Sequence, residues 1–266
     1  MRLVVIGGGN MGAAFAVAFE NSGQVSKSDI LVVETVEKRR EFLSSEYGWS
    51  VQEKIDQKIT EYDTVLLALK PQEFEEPCSQ LKKFLAPNSL ILSVMTGIKI
   101  VRLKEVLGVN KIIRCMPNTP VLVGQGVTAY LASPEVEKFE LETVEQVLNS
   151  VGLAVSVSHS ELIDSATSLS ASGAGFVFYF AEHMLKAAIE MGFNTEDAEN
   201  MVRETFSGAM KLWLESDKSI GELREQVTSK GGTTAAGFAV FEEAKLGEVS
   251  VKALKRAKDR AEELSV

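Results

Sequence analysis

The chain has 266 residues, 45% of them hydrophobic, and a formal net charge of -9. That length suits one large domain or, better, two smaller ones, and an acidic chain without a basic run speaks against nucleic acid and anionic membranes as partners. Cys78 and Cys115 stand far apart in no metal spacing, which speaks against a disulfide framework or zinc site and fits a reducing cytoplasm.

The first apolar run, 2–6 (RLVVI), carries one charge and leads straight into glycines, so it reads as a buried strand and not a signal peptide. Gly7, Gly9 and Gly12 follow in GxGxxG spacing, and a helix of small residues opens at Met11. A second strand (29–34) ends on Glu34, and a second helix follows it. Strand, glycine turn, helix and strand with an acid about 20 residues on make a dinucleotide-binding unit. Gly7 permits the tight turn, Gly9 lets a pyrophosphate approach the backbone, and Gly12 lets helix and strand pack closely. The helix start supplies N–H groups for the phosphates. Glu34 is placed to accept hydrogen bonds from the adenosine ribose hydroxyls, and it would repel a 2′-phosphate. Lys38, Arg39 and Arg40 fall in the next two turns, where charge at that spacing belongs to the solvated face of the helix.

The alternation continues with strands predicted at 63–69, 89–95, 111–116, 127–132 and 153–158. Between the last two lies a helix, with Ser133 predicted as its cap and Pro134 at its first position. Ligands of open α/β sheets bind beyond the carboxyl ends of the strands. Gly7 to Gly12, Glu34, Ala68 to Pro71 (with Lys70), Thr96-Gly97 and the loop after Met116 therefore gather round one crevice.

Beyond residue 158 the strand pattern stops and the chain reads as helices, which gives an α/β dinucleotide-binding domain at 1–158 and an all-helical domain at 159–266. The helix predicted at 174–191 is apolar on nearly all sides, so it must be buried. Its interruption by Glu182, His183 and Lys186 leaves it short of the ~20 apolar residues of a membrane span. A hundred residues offer it little cover, and a second subunit is the natural source of the rest. Asn194 is predicted to cap the next helix. In TSKGGTTAAG (228–237), Gly231-Gly232 follows one short helix and Thr233-Thr234 opens another. Local chemistry reads this first as a C-cap joined to an N-cap, but paired glycines before a helix also expose a row of N–H groups able to cradle a carboxylate. His159 and His183 have no visible partner and read as surface or packing residues, Cys115 as core, and Glu161 and Asp164 as helix-start acids.

IGGGNMG, LALKPQ, RCMPNTP, VGQGVTA, SLSASGAGFVF and VTSKGGTTAAG occur in this order, and together they resemble the pyrroline-5-carboxylate reductase family along essentially the whole chain. The resemblance implies a Rossmann-type parallel-sheet domain followed by a helical dimerisation and substrate-binding domain, a homodimer able to assemble further into a decamer, and a cytoplasmic enzyme. It implies reduction of the cyclic imine of 1-pyrroline-5-carboxylate to L-proline by NADH or NADPH, of which Glu34 favours NADH. Carried over by position, Gly7, Gly9, Asn10, Met11 and Gly12 hold the pyrophosphate. Ala68, Lys70, Pro71, Thr96 and Gly97 line the cofactor crevice, and Asn118 lies near the nicotinamide. Ser229, Gly231, Gly232 and Thr233 take the substrate carboxylate, and the Thr234 hydroxyl meets the substrate nitrogen. The family's usual SPGG has Lys230 in place of its proline here, and its usual SGSGPA reads SASGAG at 170–175. Two other readings stand beside it. One is a hydroxyacid reductase of the same architecture, disfavoured because helix 174–191 carries only Lys186, far from its start. The other is a dinucleotide-binding sensor, which would not need a substrate cradle.

Overall fold

The structure, a computed structural model, describes residues 1–265. Its strands are β1 (Leu3–Ile6), β2 (Ile30–Val33), β3 (Ser50–Gln52), β4 (Thr64–Leu67), β5 (Leu90–Ser93), β6 (Ile112–Pro117), β7 (Gly126–Ala132) and β8 (Gly152–Ser156). The helices between them are α1 (Asn10–Asn21), α2 (Glu37–Tyr47), α3 (Glu75–Leu81), α4 (Ile100–Leu107) and α5 (Lys138–Ser150). The chain continues through α6 (Ser160–Ala166), a π-helical turn at Thr167–Ala171, α7 (Ser172–Glu190), α8 (Thr195–Glu215), α9 (Ile220–Gln226), α10 (Thr233–Glu243) and α11 (Leu246–Leu264).

One eight-stranded sheet runs in the order β3-β2-β1-β4-β5-β6-β7-β8. It is parallel from β3 to β6, with Leu3 opposite Ile30 on one side and Thr64 on the other. The expected parallel sheet is extended at one edge, where β7 runs antiparallel to β6 and β8 parallel to β7. The reason is the link from Pro117 to Gly126, which holds only a short 3-10 turn at Thr119–Val123. Parallel pairing needs a crossover of a dozen residues or more. The central strands are continuously apolar because both faces are covered. Leu3 and Val5 pack with Phe15, Phe19, Leu43 and Val144, from α1, α2 and α5. Val4 and Ile6 pack with Cys78, Leu81, Leu103 and Leu107, from α3 and α4. The helices change face between β1 and β4, and a crevice opens at such a switch point.

Ser133 does not cap α5. Its hydroxyl donates to the Asn110 carbonyl at 2.6 Å and accepts from the Ile112 N–H at 2.9 Å, so it ties β6 to β7 instead. Helix α5 starts later and is capped by Glu137 through a reciprocal capping box with Glu140. Asp164 is not a helix-start acid on a solvated turn. It is buried, and its carboxylate pairs with the buried Arg114 guanidinium of β6 at 3.0 Å.

By packing, the chain forms two compact units: Met1–Ala171 with the chain from Ala257, and Ser172–Arg256. Helix α6 lies on β6 and β7 within the first. In the second, α7 packs along α8, and Phe180 meets Phe206 and Phe241 edge to face. Asn194 caps α8 as expected, its Oδ1 accepting from the Asp197 N–H at 2.9 Å. The expected burial of α7 is not met within the chain: only Ala188 of this helix is buried, and Phe178 is 67% exposed.

Candidate active site

The glycine turn is built as its spacing requires. Gly7 has φ +101°, and a Cβ there would lie 2.6 Å from the Ala68 carbonyl oxygen. A Cβ at Gly12 would overlap the Gly7 carbonyl oxygen, so α1 can sit this close to β1 only with glycine at both places. Gly9 caps α1 and has no atom within 4 Å of where a Cβ would stand, so its backbone is open to a ligand. Asn10 and Met11 form the first turn of α1. The unused N–H groups of such a turn suit a pyrophosphate.

Beyond this turn a cleft of about 670 Å³ runs along the carboxyl ends of β1, β2 and β4. It brings together Gly7, Gly9, Glu34, Ala68 and Lys70 of the expected residues. It also includes Thr35, Lys54 and Gln80, which the sequence reading passed over. Thr35 could have been found from its place beside Glu34. Lys54 could not, because it follows β3, a three-residue edge strand with no apolar run. The charged side chains facing the cleft are Glu34, Glu53, Glu73 and Glu76 against Lys54 and Lys70. Lys70 is exposed and lies 3.6 Å from Glu73. Pro71 is not among the residues lining the cleft; it opens the 3-10 turn Pro71–Glu73 directly after Lys70.

Glu34 is engaged by the backbone. One carboxylate oxygen accepts from the Gly8 N–H at 3.0 Å and the other from the Val36 N–H at 2.9 Å. Arg39 and Arg40 are not merely on a solvated helix face. Arg39 Nε donates to the Gly8 carbonyl at 2.6 Å, and Arg40 Nη1 donates to the carbonyls of Glu34 (2.8 Å) and Thr35 (2.7 Å). Lys38 is exposed, as expected.

Thr96, Gly97 and Asn118 line no part of this cleft; they follow β5 and β6 along the same edge of the sheet. The Thr96 hydroxyl points at Met116 Sδ (3.8 Å). Gly97 has φ +79°, and a Cβ there would lie 2.8 Å from the Leu264 carbonyl oxygen, so the end of α11 rests on this turn. Asn118 is nearly buried: its Oδ1 accepts from the Val127 N–H at 2.8 Å, and its Nδ2 donates to the Ser170 carbonyl at 3.3 Å. Neither histidine lines the cleft. His159 Nδ1 meets the Ser158 hydroxyl and His183 Nδ1 the Tyr179 carbonyl, each at 2.8 Å.

The second cradle lies in the second unit. Helix α9 is capped by Ser219 with Glu222, Gly231 takes φ +74°, and Gly232 caps α10 without a side-chain hydrogen bond. The Gly232 N–H is used by the Ser229 carbonyl (3.0 Å), and a Cβ at Gly232 would overlap the Ser229 hydroxyl. The amides of Thr233, Thr234 and Ala235 open α10, where a helix has no acceptor of its own to offer. Lys230 is exposed beside them.

Comparison with known proteins gives a consistent picture. Residues 160–264 match the family model "Pyrroline-5-carboxylate reductase dimerisation", and residues 2–97 match "NADP oxidoreductase coenzyme F420-dependent". A pyrroline-5-carboxylate reductase of Aquifex aeolicus is 34% identical over 99% of this chain and 97% of its own length. One from Pseudomonas aeruginosa is 32% identical with the same coverage. Among solved structures, a pyrroline-5-carboxylate reductase from Coxiella burnetii superposes with a TM-score of 0.90 at 33% identity, covering 100% of this chain and 98% of that one. A pyrroline carboxylate reductase from Plasmodium falciparum with NADP bound gives 0.89 at 25% identity and the same coverage.

Proposed function

Because the chain belongs to the pyrroline-5-carboxylate reductase family, we propose that it reduces 1-pyrroline-5-carboxylate to L-proline with hydride from a reduced nicotinamide dinucleotide. This is the last step of proline biosynthesis. The observation that carries the reading is the presence of two anion cradles in one chain, the glycine turn before α1 and the Gly231-Gly232 turn before α10.

A reduced dinucleotide held by its pyrophosphate at the first cradle would supply the hydride that the imine carbon accepts. The work of the protein is to hold and orient. Gly7, Gly9, Asn10, Met11 and Gly12 take the pyrophosphate, Ala68, Lys70, Pro71, Thr96 and Gly97 line the path of the dinucleotide, and Asn118 stands toward the nicotinamide end. The open amides at the start of α10, Thr233 first, take the substrate carboxylate, while Ser229, Gly231 and Gly232 shape the turn, the Gly232 N–H being held by the Ser229 carbonyl. The Thr234 hydroxyl accepts from the protonated ring nitrogen, whose charge makes the imine carbon electrophilic. No acid–base pair is required, in keeping with two histidines held by Ser158 and Tyr179 outside the cleft.

NADH is the preferred cofactor. Four carboxylates against two lysines face the cleft, and a 2′-phosphate would add charge of the repelled sign. Of the cations that follow Glu34, Lys38 is exposed to solvent, and Arg39 and Arg40 are committed to backbone carbonyls. The enzyme works in the cytoplasm as a homodimer formed through the helical domain 159–266, and such dimers can assemble into a decamer.

The test compares 1-pyrroline-5-carboxylate with 1-pyrroline, which lacks the carboxylate, by following loss of the reduced cofactor. The acid should turn over, and the analogue without the carboxylate should fall by about 10- to 100-fold in kcat/KM, as for amides that lose a charged hydrogen-bond partner. Equal rates would remove the second cradle from the reaction.

A further inference from the structure

The loop after β2 grips the loop after β1, and it does so at one residue, Gly8. Gly8 donates its N–H to Glu34 and accepts from Arg39 Nε through its carbonyl at 2.6 Å. A Cβ at Gly8 would lie 2.5 Å from Leu43 Cδ1 and 3.1 Å from Val32 Cγ1, so the residue is seated against β2 and α2. The Arg39 guanidinium also lies over the Phe42 ring, 4.9 Å from its centroid, which restricts its swing.

We propose that Arg39 is a positioning residue for the dinucleotide, acting on its pyrophosphate through the Gly8 carbonyl and not on any 2′-phosphate. The proposal rests on the reading of the cleft as a dinucleotide site. The Gly8 carbonyl and the Gly9 N–H belong to one planar peptide and point in opposite directions. Holding the oxygen on the α2 side therefore turns the Gly9 N–H the other way and sets the entry into α1. A hydrogen bond from a charged donor is among the stronger ones. Without it the peptide is free to rotate, since glycines flank it on both sides.

The two roles a cation can play after β2 are separable. A 2′-phosphate ligand serves NADPH alone, whereas a clamp on the glycine turn serves NADH and NADPH alike. The experiment titrates NADH and NADPH into wild type, Arg39→Met and Arg39→Lys, reading nicotinamide fluorescence without substrate. Arg39→Met is expected to raise both dissociation constants about tenfold, with their ratio held within about twofold. Arg39→Lys, whose ammonium reaches the same carbonyl, is expected to restore most of both. At saturating cofactor kcat should stay near wild type, so the loss falls in KM. A loss confined to NADPH, or unchanged affinity for both, overturns the proposal. Should Arg39→Met not fold, Arg39→Gln carries the same comparison with the same outcomes. Absence of turnover on pyrroline-5-carboxylate with intact binding would strike the proposed reaction and leave the clamp standing.

Discussion

Glu34 carries two duties at once, and its substitution should show both. Its carboxylate holds the Gly8 and Val36 amides and faces the cleft. Glu34→Ser removes an acceptor for Gly8, so affinity for both dinucleotides should fall. It also removes the charge that opposes a 2′-phosphate, so the NADPH-to-NADH ratio of kcat/KM should rise, about tenfold for ~1.4 kcal/mol. Steady-state rates with the two cofactors read this directly, and an unchanged ratio would show that Glu34 does not face the ribose. Thr234, half-buried in the first turn of α10, is the other residue with a sharp expectation. Thr234→Ala should fold normally and lose about 1–3 kcal/mol in kcat/KM, one hydrogen bond to a group left buried. Wild-type turnover would take the hydroxyl out of the reaction. Gly7 and Gly12 were legible in the sequence because the backbone there admits one residue type. Arg39 and Asp164 were not, since their partners lie 31 and 50 residues away and nothing local marks the pairing.

The elements were legible where one periodicity ran long enough. The buried strands β1, β2, β4, β5 and β6 show as apolar runs because helices cover both faces of the sheet. Strand β3, with three residues at the edge, has no such run, and the start of α5 was hidden because Ser133 serves the β6–β7 pair. The π-helical turn at Thr167–Ala171, stitched to Asn118, has no signature in composition. Helix α6 is held to β6 by the Arg114–Asp164 pair, with Ser160 accepting from Arg114 at 2.8 Å and the Ser265 hydroxyl 3.0 Å from Asp164. Asp164→Ala would leave a buried guanidinium without its partner. It should cost about 3–5 kcal/mol of stability, measured as a lower urea midpoint. A loss below about 1 kcal/mol, the range of an exposed pair, would mean that water reaches Arg114. The two thiols on α3 and β6 are buried, and burial pushes each up to about 12. At mildly alkaline pH a thiol reagent should therefore find none in the native protein and both after unfolding. Rapid native labelling would contradict the packing of α3 or β6.

At the scale of the whole molecule, the chain leaves apolar surface that it cannot cover. Phe176, Val177, Phe178 and Tyr179 on α7, with Leu212 and Trp213 on α8, are exposed. The apolar sequence of α7 calls for burial that the chain itself does not supply, so a neighbouring subunit is expected to cover it. Light scattering should give a multiple of 29.0 kDa and no monomer at micromolar concentration, and a stable monomer would contradict the dimer. No helix among the described residues is long and apolar enough to cross a membrane.

If both cradles serve one reaction, oxidised cofactor and L-proline must appear in step, and that balance can be measured. Purified protein is given 1-pyrroline-5-carboxylate and NADH, and the cofactor oxidised is measured beside the L-proline formed. One proline is expected for each NADH consumed, with neither change when the imine is omitted. Cofactor that binds but is not oxidised, or is oxidised without proline appearing, would contradict it.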